Sequence, residues 1–66
     1  MQLKIVLDGI TYIGKEIKMT PEERIVEIEK LYDMIPDVNR VKFILEDGSI
    51  LIIGKNAIQS AHFLIS

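Results

Sequence analysis

The chain has no cysteine and a single histidine, His62, and these absences exclude several kinds of chemistry. Without cysteine there is no disulfide, no thiolate metal site and no cysteine nucleophile. A general base needs a positioned partner and a metal site needs two or more converging ligands, and the local sequence supplies neither to His62. We therefore predict that the protein is not an enzyme and holds neither a cofactor nor a metal.

The chain also lacks long apolar runs. None approaches the roughly 18–20 residues that a membrane-spanning helix needs. The first ten residues, MQLKIVLDGI, contain one lysine and a short apolar run that Asp8 interrupts, so the apolar core and the cleavage site of a signal peptide are missing. We expect a cytoplasmic protein that makes no contact with membranes.

The chain also lacks a large excess of positive or negative charge. The net charge is −2, and residues 22–33 carry a local balance of −3 while the remainder is close to neutral. Nucleic-acid binding usually requires a basic stripe that neutralises several phosphates, and no such stripe is visible. We do not expect a nucleic-acid partner, and an Sm-like nucleic-acid binder is only the third alternative for the function.

Apolar residues, in contrast, are abundant. They make up 48% of the chain, and thirteen of its 66 residues are isoleucine. We expect residues 1–66 to form one small domain, and a chain of this length buries only about 60% of the surface that its unfolded form exposes. The apolar surplus therefore indicates a surface that a partner covers.

The clearest structural signal is the segment VKFILEDGSILIIG, residues 41–54. Two apolar, β-branched runs flank Asp47-Gly48, and this arrangement predicts a hairpin. With Asp47 and Gly48 in the turn, or with a four-residue loop, Leu45 faces Ile50. The side chains predicted to face the core are Val41, Phe43, Leu45, Ile50 and Ile52. The opposite face then carries three large aliphatic side chains, those of Ile44, Leu51 and Ile53.

The N-terminal half predicts two strands and a helix. The first strand is predicted over residues 3–7, with Leu3, Ile5 and Leu7 on one face and Lys4 and Val6 on the other. Asp8-Gly9 predicts a second hairpin turn. A second strand is expected over residues 10–19, with a bulge or bend at Gly14. The sequence TPEE then predicts a helix start with a capping box between residues 20 and 23. The helix is expected to end before Pro36. Its predicted core stripe is Ile25, Ile28, Tyr32 and Ile35, widened by Leu31.

A turn at residues 54–56 and a last strand over residues 57–65 complete the chain. We predict an α+β fold of order β-β-α-β-β-β, with a mostly antiparallel sheet of about five strands and one amphipathic helix on one face. A strongly curled, barrel-like sheet is the alternative.

Antiparallel sheets usually leave one face in water, and here that face is apolar. We predict that it forms the interface of a homo-oligomer, a dimer or a larger assembly, and that the protein acts by binding a further protein. The residues predicted for this interface are Val6, Ile44, Leu51, Ile53 and Leu64.

A second hypothesis is that the oligomer sequesters a nucleotide or another small anion at a subunit boundary. Cationic side chains brought together there would supply the charge. The candidate ligand contacts are Lys15, Lys18, Arg40, Lys42, Lys55 and His62.

The ending FILEDGSILIIGKNAIQSAHFLI resembles a pattern in short phage- and prophage-encoded proteins of AT-rich bacteria. In these proteins an acidic-Gly hairpin leads through a short turn with Asn to a terminal strand, and the TPEE helix start after an N-terminal hairpin fits the same style. The resemblance implies a small binding protein or inhibitor of a macromolecule rather than an enzyme. It assigns no role to any individual residue.

Overall fold

A computed structural model describes all 66 residues, and its five strands are all antiparallel. They form a three-stranded sheet of order β2-β1-β5 and a two-stranded sheet, β3-β4. The elements are β1 (Leu3–Leu7), β2 (Ile10–Ile13), α1 (Pro21–Met34), a 3-10 turn (Ile35–Asp37), β3 (Arg40–Ile44), β4 (Ile50–Gly54), α2 (Lys55–Ile58) and β5 (His62–Ile65). The predicted α+β class and element order are confirmed, with the short α2 added. The barrel-like alternative is wrong, because the two sheets do not close.

The first hairpin follows directly from its sequence. Leu7 pairs with Ile10 across a two-residue turn, and Asp8 and Gly9 have φ angles of 52° and 77°. A type I′ turn requires positive φ at both positions, and its twist matches that of the flanking strands. The predicted alternation in β1 is confirmed, since Leu3 and Ile5 are buried.

Strand β2 ends at Ile13, so the prediction that it continues to residue 19 is wrong. Gly14 marks the change, because its N–H donates to the Leu3 carbonyl at 2.7 Å. A Cβ at Gly14 would lie 2.9 Å from that carbonyl oxygen, so no larger residue fits without movement. Gly14 also forms an isolated bridge to Leu45. After Gly14 the chain thus stops pairing with β1 and pairs with the second hairpin instead, where the Lys15 N–H donates to the Ile44 carbonyl.

Helix α1 begins as predicted. The N–H of Glu23 donates to the Thr20 hydroxyl at 3.2 Å, and the Glu23 carboxylate accepts from the Thr20 N–H at the same distance. These two bonds form the capping box, and Pro21 occupies the first helical position. The α-helix ends at Met34, but Pro36 lies inside the 3-10 turn that follows. Proline is tolerated in the first turn of such a segment, where its missing N–H has no partner to lose.

The inward stripe of α1 differs from the predicted one. The partly buried positions are Arg24, Ile28 and Leu31, and the buried Ile35 continues the stripe, whereas Ile25 is 44% exposed. Tyr32 lies at the flank, where its hydroxyl donates to the Ile58 carbonyl at 3.2 Å and burial raises its pKa. No residue within α1 itself is fully buried. The helix therefore covers the sheets loosely.

The second hairpin has a register one residue away from the predicted one. Ile44 pairs with Ile50, and the loop between them is closed by a hydrogen bond of 2.8 Å from the Leu45 N–H to the Ser49 carbonyl. The loop consists of the three residues 46–48, and its last residue, Gly48, has a φ of 86°. Three-residue hairpin loops typically end in such a left-handed residue. A shift of one residue moves every side chain of β4 to the other face.

The predicted last strand is shorter than expected. Residues 55–58 form the single-turn helix α2, and β5 begins only at His62, where it pairs with Val6 of β1. The turn buries Ile58 completely. Burial of this side chain against the core explains why the segment does not continue as a strand.

The core is small. Seven apolar residues are buried, namely Leu3, Ile5, Ile35, Phe43, Ile53, Ile58 and Ala61. The accessible surface is 4664 Å², whereas a folded chain of this mass typically exposes roughly 4,250 Å². The larger exposed surface agrees with the loose packing of α1. Part of this surface is apolar, since ten large hydrophobic residues are exposed.

Candidate functional site

The outer face of the second hairpin carries a group of exposed isoleucines, which we call the isoleucine face: Ile44, Ile50 and Ile52. Their exposed fractions are 58%, 61% and 56%. Ile44 and Ile50 are direct partners across the hairpin, and Ile52 pairs with Lys42 on the same side. Side chains at paired positions of two strands lie next to each other, so the three form one patch.

Two residues predicted for the interface lie elsewhere. Ile53 is 2% exposed and belongs to the core, and Leu51 is partly buried against it. The one-residue shift in register is the reason, because it exchanges Leu51 and Ile53 with Ile50 and Ile52. The predictions that Ile50 and Ile52 are core residues, and that Leu51 and Ile53 face outward, are wrong.

The outer face of the three-stranded sheet carries the other predicted interface residues. Val6 and Leu64 alternate with the inward residues of β1 and β5, and Leu64 is 55% exposed. Ile13 pairs with Lys4 on this same side and is 37% exposed. Ile13 is not among the predicted interface residues, although its alternation with Tyr12 in a strand that starts at a fixed turn identifies the side it occupies.

The junction between the sheets brings these two outer faces together. The Ile13 carbonyl accepts from the Glu46 N–H, and the Ile44 carbonyl accepts from the Lys15 N–H, both at 3.0 Å. Because Gly14 and Leu45 pair between these two bonds, Ile13 and Ile44 lie on the outer side of the junction. We call the combined set the outer apolar surface: Val6, Ile13, Ile44, Ile50, Ile52 and Leu64.

A groove opens beneath α1, between β1 and β3, and its lining reaches Lys42 and Ile44 at the edge of the isoleucine face. Its volume is about 540 Å³. Nine of its fifteen lining residues are apolar, among them Leu3 and Ile5 from β1, Ile28 and Leu31 from α1, and Phe43 from β3. The groove exists because the inward stripe of α1 spans the gap without filling it.

The charged residues that line the groove are mostly cationic: Lys15, Arg24, Lys30 and Lys42, against the single carboxylate of Glu27. This excess of positive charge occurs in a chain whose net charge is −2. The Arg24 side chain is 16% exposed, and its Nη1 donates to the Glu27 carboxylate at 3.1 Å. Its Nε is buried and has no hydrogen-bond partner.

Only two of the predicted ligand contacts line the groove. Lys15 and Lys42 both line the groove. Arg40 pairs with Gly54 at the open end of the second hairpin, and the Lys55 N–H donates to the Asn39 carbonyl at that same end. His62 is exposed on the outer face, opposite Val6. Arg24 is not among the predicted ligand contacts, because its position in the predicted helix does not reveal that it lies on the inward stripe.

No three histidine, aspartate or glutamate side chains cluster at metal-ligand distance. Neither helix has the length and apolar character needed to cross a membrane. The candidate functional features are therefore the outer apolar surface and the groove.

Comparison of the chain with protein-family models, with curated proteins and with solved structures finds no match. The two surfaces described above are thus the basis for a functional assignment.

Proposed function

We propose that the protein is a small, non-enzymatic, self-associating cytoplasmic protein that forms a homodimer through its outer apolar surface. The observation that carries this proposal is the isoleucine face, where three large aliphatic side chains are each more than half exposed. Isolated exposed aliphatic residues are common on monomeric proteins, but a contiguous group marks an interaction site.

A second copy of the chain is the occupant that this surface fits best. Homodimer interfaces are richer in apolar area than other interfaces, and in a two-fold dimer the same patch contacts itself. The isoleucine face alone is too small for a stable interface, which buries about 800 Å² on each partner. The junction at Gly14 extends it to Ile13, and Lys4 lies between Ile13 and Leu64 on the same face. A contact that spans both sheets would therefore include the Lys4 side chain, whose aliphatic stem can pack against apolar neighbours.

The resemblance to phage-encoded proteins supports a further step, in which the dimer binds or inhibits a macromolecule of the host or phage. The nucleotide-sequestering alternative is less well supported, because Arg40, Lys55 and His62 lie outside the groove that Lys15 and Lys42 line. The outer face carries the cations Lys4, Arg40 and Lys42, but they lie on two separate strands among apolar side chains, and a net charge of −2 does not favour an Sm-like nucleic-acid binder.

The test is the mass in solution of the wild-type protein and of the Ile52→Lys variant, measured by size-exclusion chromatography with light scattering. We expect a dimer for the wild type and a monomer for Ile52→Lys, because a buried ammonium group without a partner opposes association. Circular dichroism should be unchanged, since Ile52 is 56% exposed within one chain.

Val26→Lys is the matched control. Val26 is also an exposed aliphatic residue, at 50%, but it lies on the side of α1 opposite the inward stripe. This variant should remain dimeric. A wild-type protein that is monomeric at high micromolar concentration, or an Ile52→Lys variant that associates as strongly as the wild type, would contradict the proposal.

A further inference from the structure

The groove beneath α1 is unusual for so small a protein. Well-packed interiors contain few voids larger than a water molecule, whereas here about 540 Å³ lies open between α1 and the sheets. Sites for small molecules typically enclose about 300–1,000 Å³ and are lined mainly by apolar side chains with a few polar groups. The groove satisfies both conditions. One lining residue, Ile44, also belongs to the outer apolar surface, so the groove and the proposed dimer surface share an edge.

Arg24 gives the groove a specific polar anchor. A guanidinium group has five N–H donors, and a buried donor without a partner costs free energy unless a ligand or water satisfies it. One donor of Arg24, on Nη1, is used by Glu27, and its Nε is unpaired but has almost no accessible surface. The donors that a ligand in the groove can reach are therefore the remaining N–H groups of the side chain, which is 16% exposed. The remaining cations, Lys15, Lys30 and Lys42, add positive charge to the same lining. The complementary group is an anion with two acceptor oxygens.

We propose that the groove binds an amphipathic carboxylate, with its alkyl chain among Leu3, Ile5, Ile28, Leu31 and Phe43 and its head group accepting a hydrogen bond from Arg24. The apolar lining matches an alkyl chain, which has no polar groups to satisfy. A carboxylate matches the guanidinium in geometry and charge.

Two other occupants fit less well. A nucleotide base needs hydrogen-bond partners and stacking, and the groove offers one aromatic side chain, that of Phe43. A peptide segment from a second copy would bring backbone N–H and C=O groups into an apolar lining that provides few partners for them. A free fatty-acid-like anion avoids both difficulties.

The first experiment measures the binding of hexanoate, octanoate and decanoate to the wild-type protein by isothermal titration calorimetry. Affinity should rise by roughly 15-fold for each two methylenes until the groove is filled. Two reference compounds separate the contributions: 1-octanol has the tail without the charge, and acetate has the charge without the tail. Both should bind at least about tenfold more weakly than octanoate.

The variants test the head-group contact. Arg24→Met keeps the aliphatic stem but removes the charge, so octanoate should bind about tenfold more weakly or worse, while 1-octanol is unaffected. Glu27→Gln removes the competing carboxylate and should tighten octanoate binding. Lys18→Met, at an exposed cation outside the groove, is the matched control and should bind octanoate like the wild type.

A blocking variant tests the location. Ile28→Trp places a bulky side chain in the groove and should abolish octanoate binding while the dimer mass stays unchanged. The proposal is overturned if octanoate does not bind, if octanoate and 1-octanol bind equally well, or if Arg24→Met binds octanoate like the wild type. It is also overturned if Ile28→Trp abolishes dimerisation, because the groove would then belong to a second copy.

Discussion

The two hairpins contain the same turn dipeptide, Asp-Gly, yet they use it differently. In the first, Asp8 and Gly9 are the whole turn and both have positive φ. In the second, only Gly48 has positive φ, and Glu46 joins the loop as a third residue. The Asp47 carboxylate accepts from the Ser49 N–H at 2.9 Å and from its hydroxyl at 2.5 Å, which stabilises the longer loop. The dipeptide therefore predicts a hairpin but does not determine its register.

The difference has consequences beyond the turn. The two-residue turn leaves β1 and β2 in the register that buries Leu3 and Ile5. The three-residue loop turns the other face of β4 towards the core, so that Ile53 is buried and Ile50 and Ile52 are exposed. One additional loop residue thus decides which isoleucines form the core and which form the proposed interface.

The largest expected effect comes from comparing neighbours in β4. Ile53→Ala should reduce the free energy of unfolding by about 2–5 kcal/mol, because it leaves a cavity in the core. Ile52→Ala should change it by less than about 0.5 kcal/mol. Urea unfolding at low protein concentration, where association does not contribute, measures both. The reverse order of effects would show that the register is the one expected for a two-residue turn.

A smaller effect is expected from the turn glycines. Gly9→Ala and Gly48→Ala should each reduce the free energy of unfolding by about 1–2 kcal/mol, because a Cβ is disfavoured at positive φ. Neither position is crowded, so the cost is conformational. Gly9→Asn and Gly48→Asn are the controls and should cost less, since asparagine tolerates this region. Equal losses for alanine and asparagine at either site would argue against a left-handed residue there.

The smallest effect concerns pH. The hydrogen bonds from the Ser49 hydroxyl and N–H lower the pKa of Asp47 in the folded protein. A carboxyl group whose pKa is lower in the folded state stabilises it above the unfolded pKa, and this contribution is lost as pH falls through the folded value. Titration by NMR should show Asp47 below the ordinary aspartate pKa, and Ser49→Ala should raise it. An unchanged Asp47 titration in Ser49→Ala would contradict the three-residue loop geometry.

The parts of the fold that the sequence predicted correctly depend on neighbouring residues. The capping box joins Thr20 to Glu23, and the first turn needs only Asp8 and Gly9. The wrong predictions concern features that depend on contacts between several segments of the chain. Both Ile25 and Arg24 are compatible with an inward stripe of α1, and the packing of the whole helix against the assembled sheets, mainly at β5, determines which one turns inward.

The candidate site shows the same division. The abundance of isoleucine predicted an exposed apolar face, and Val6, Ile44 and Leu64 remain predicted members of the interface. The groove was not predicted, because its lining comes from β1, the segment at residues 14–17, α1 and β3. No local pattern relates Arg24 to Phe43, which are nineteen residues apart in the numbering of the chain.

The sequence by itself determined the order of the elements, the start of α1 and the presence of two hairpins, because turn chemistry and capping act over two to four residues. The tertiary structure decided the side of β4 that faces the core, the turn of helix at α2 and the open groove. The physical reason is that burial is a property of the assembled chain: Ile52 and Ile53 are the same residue type, and only packing distinguishes them.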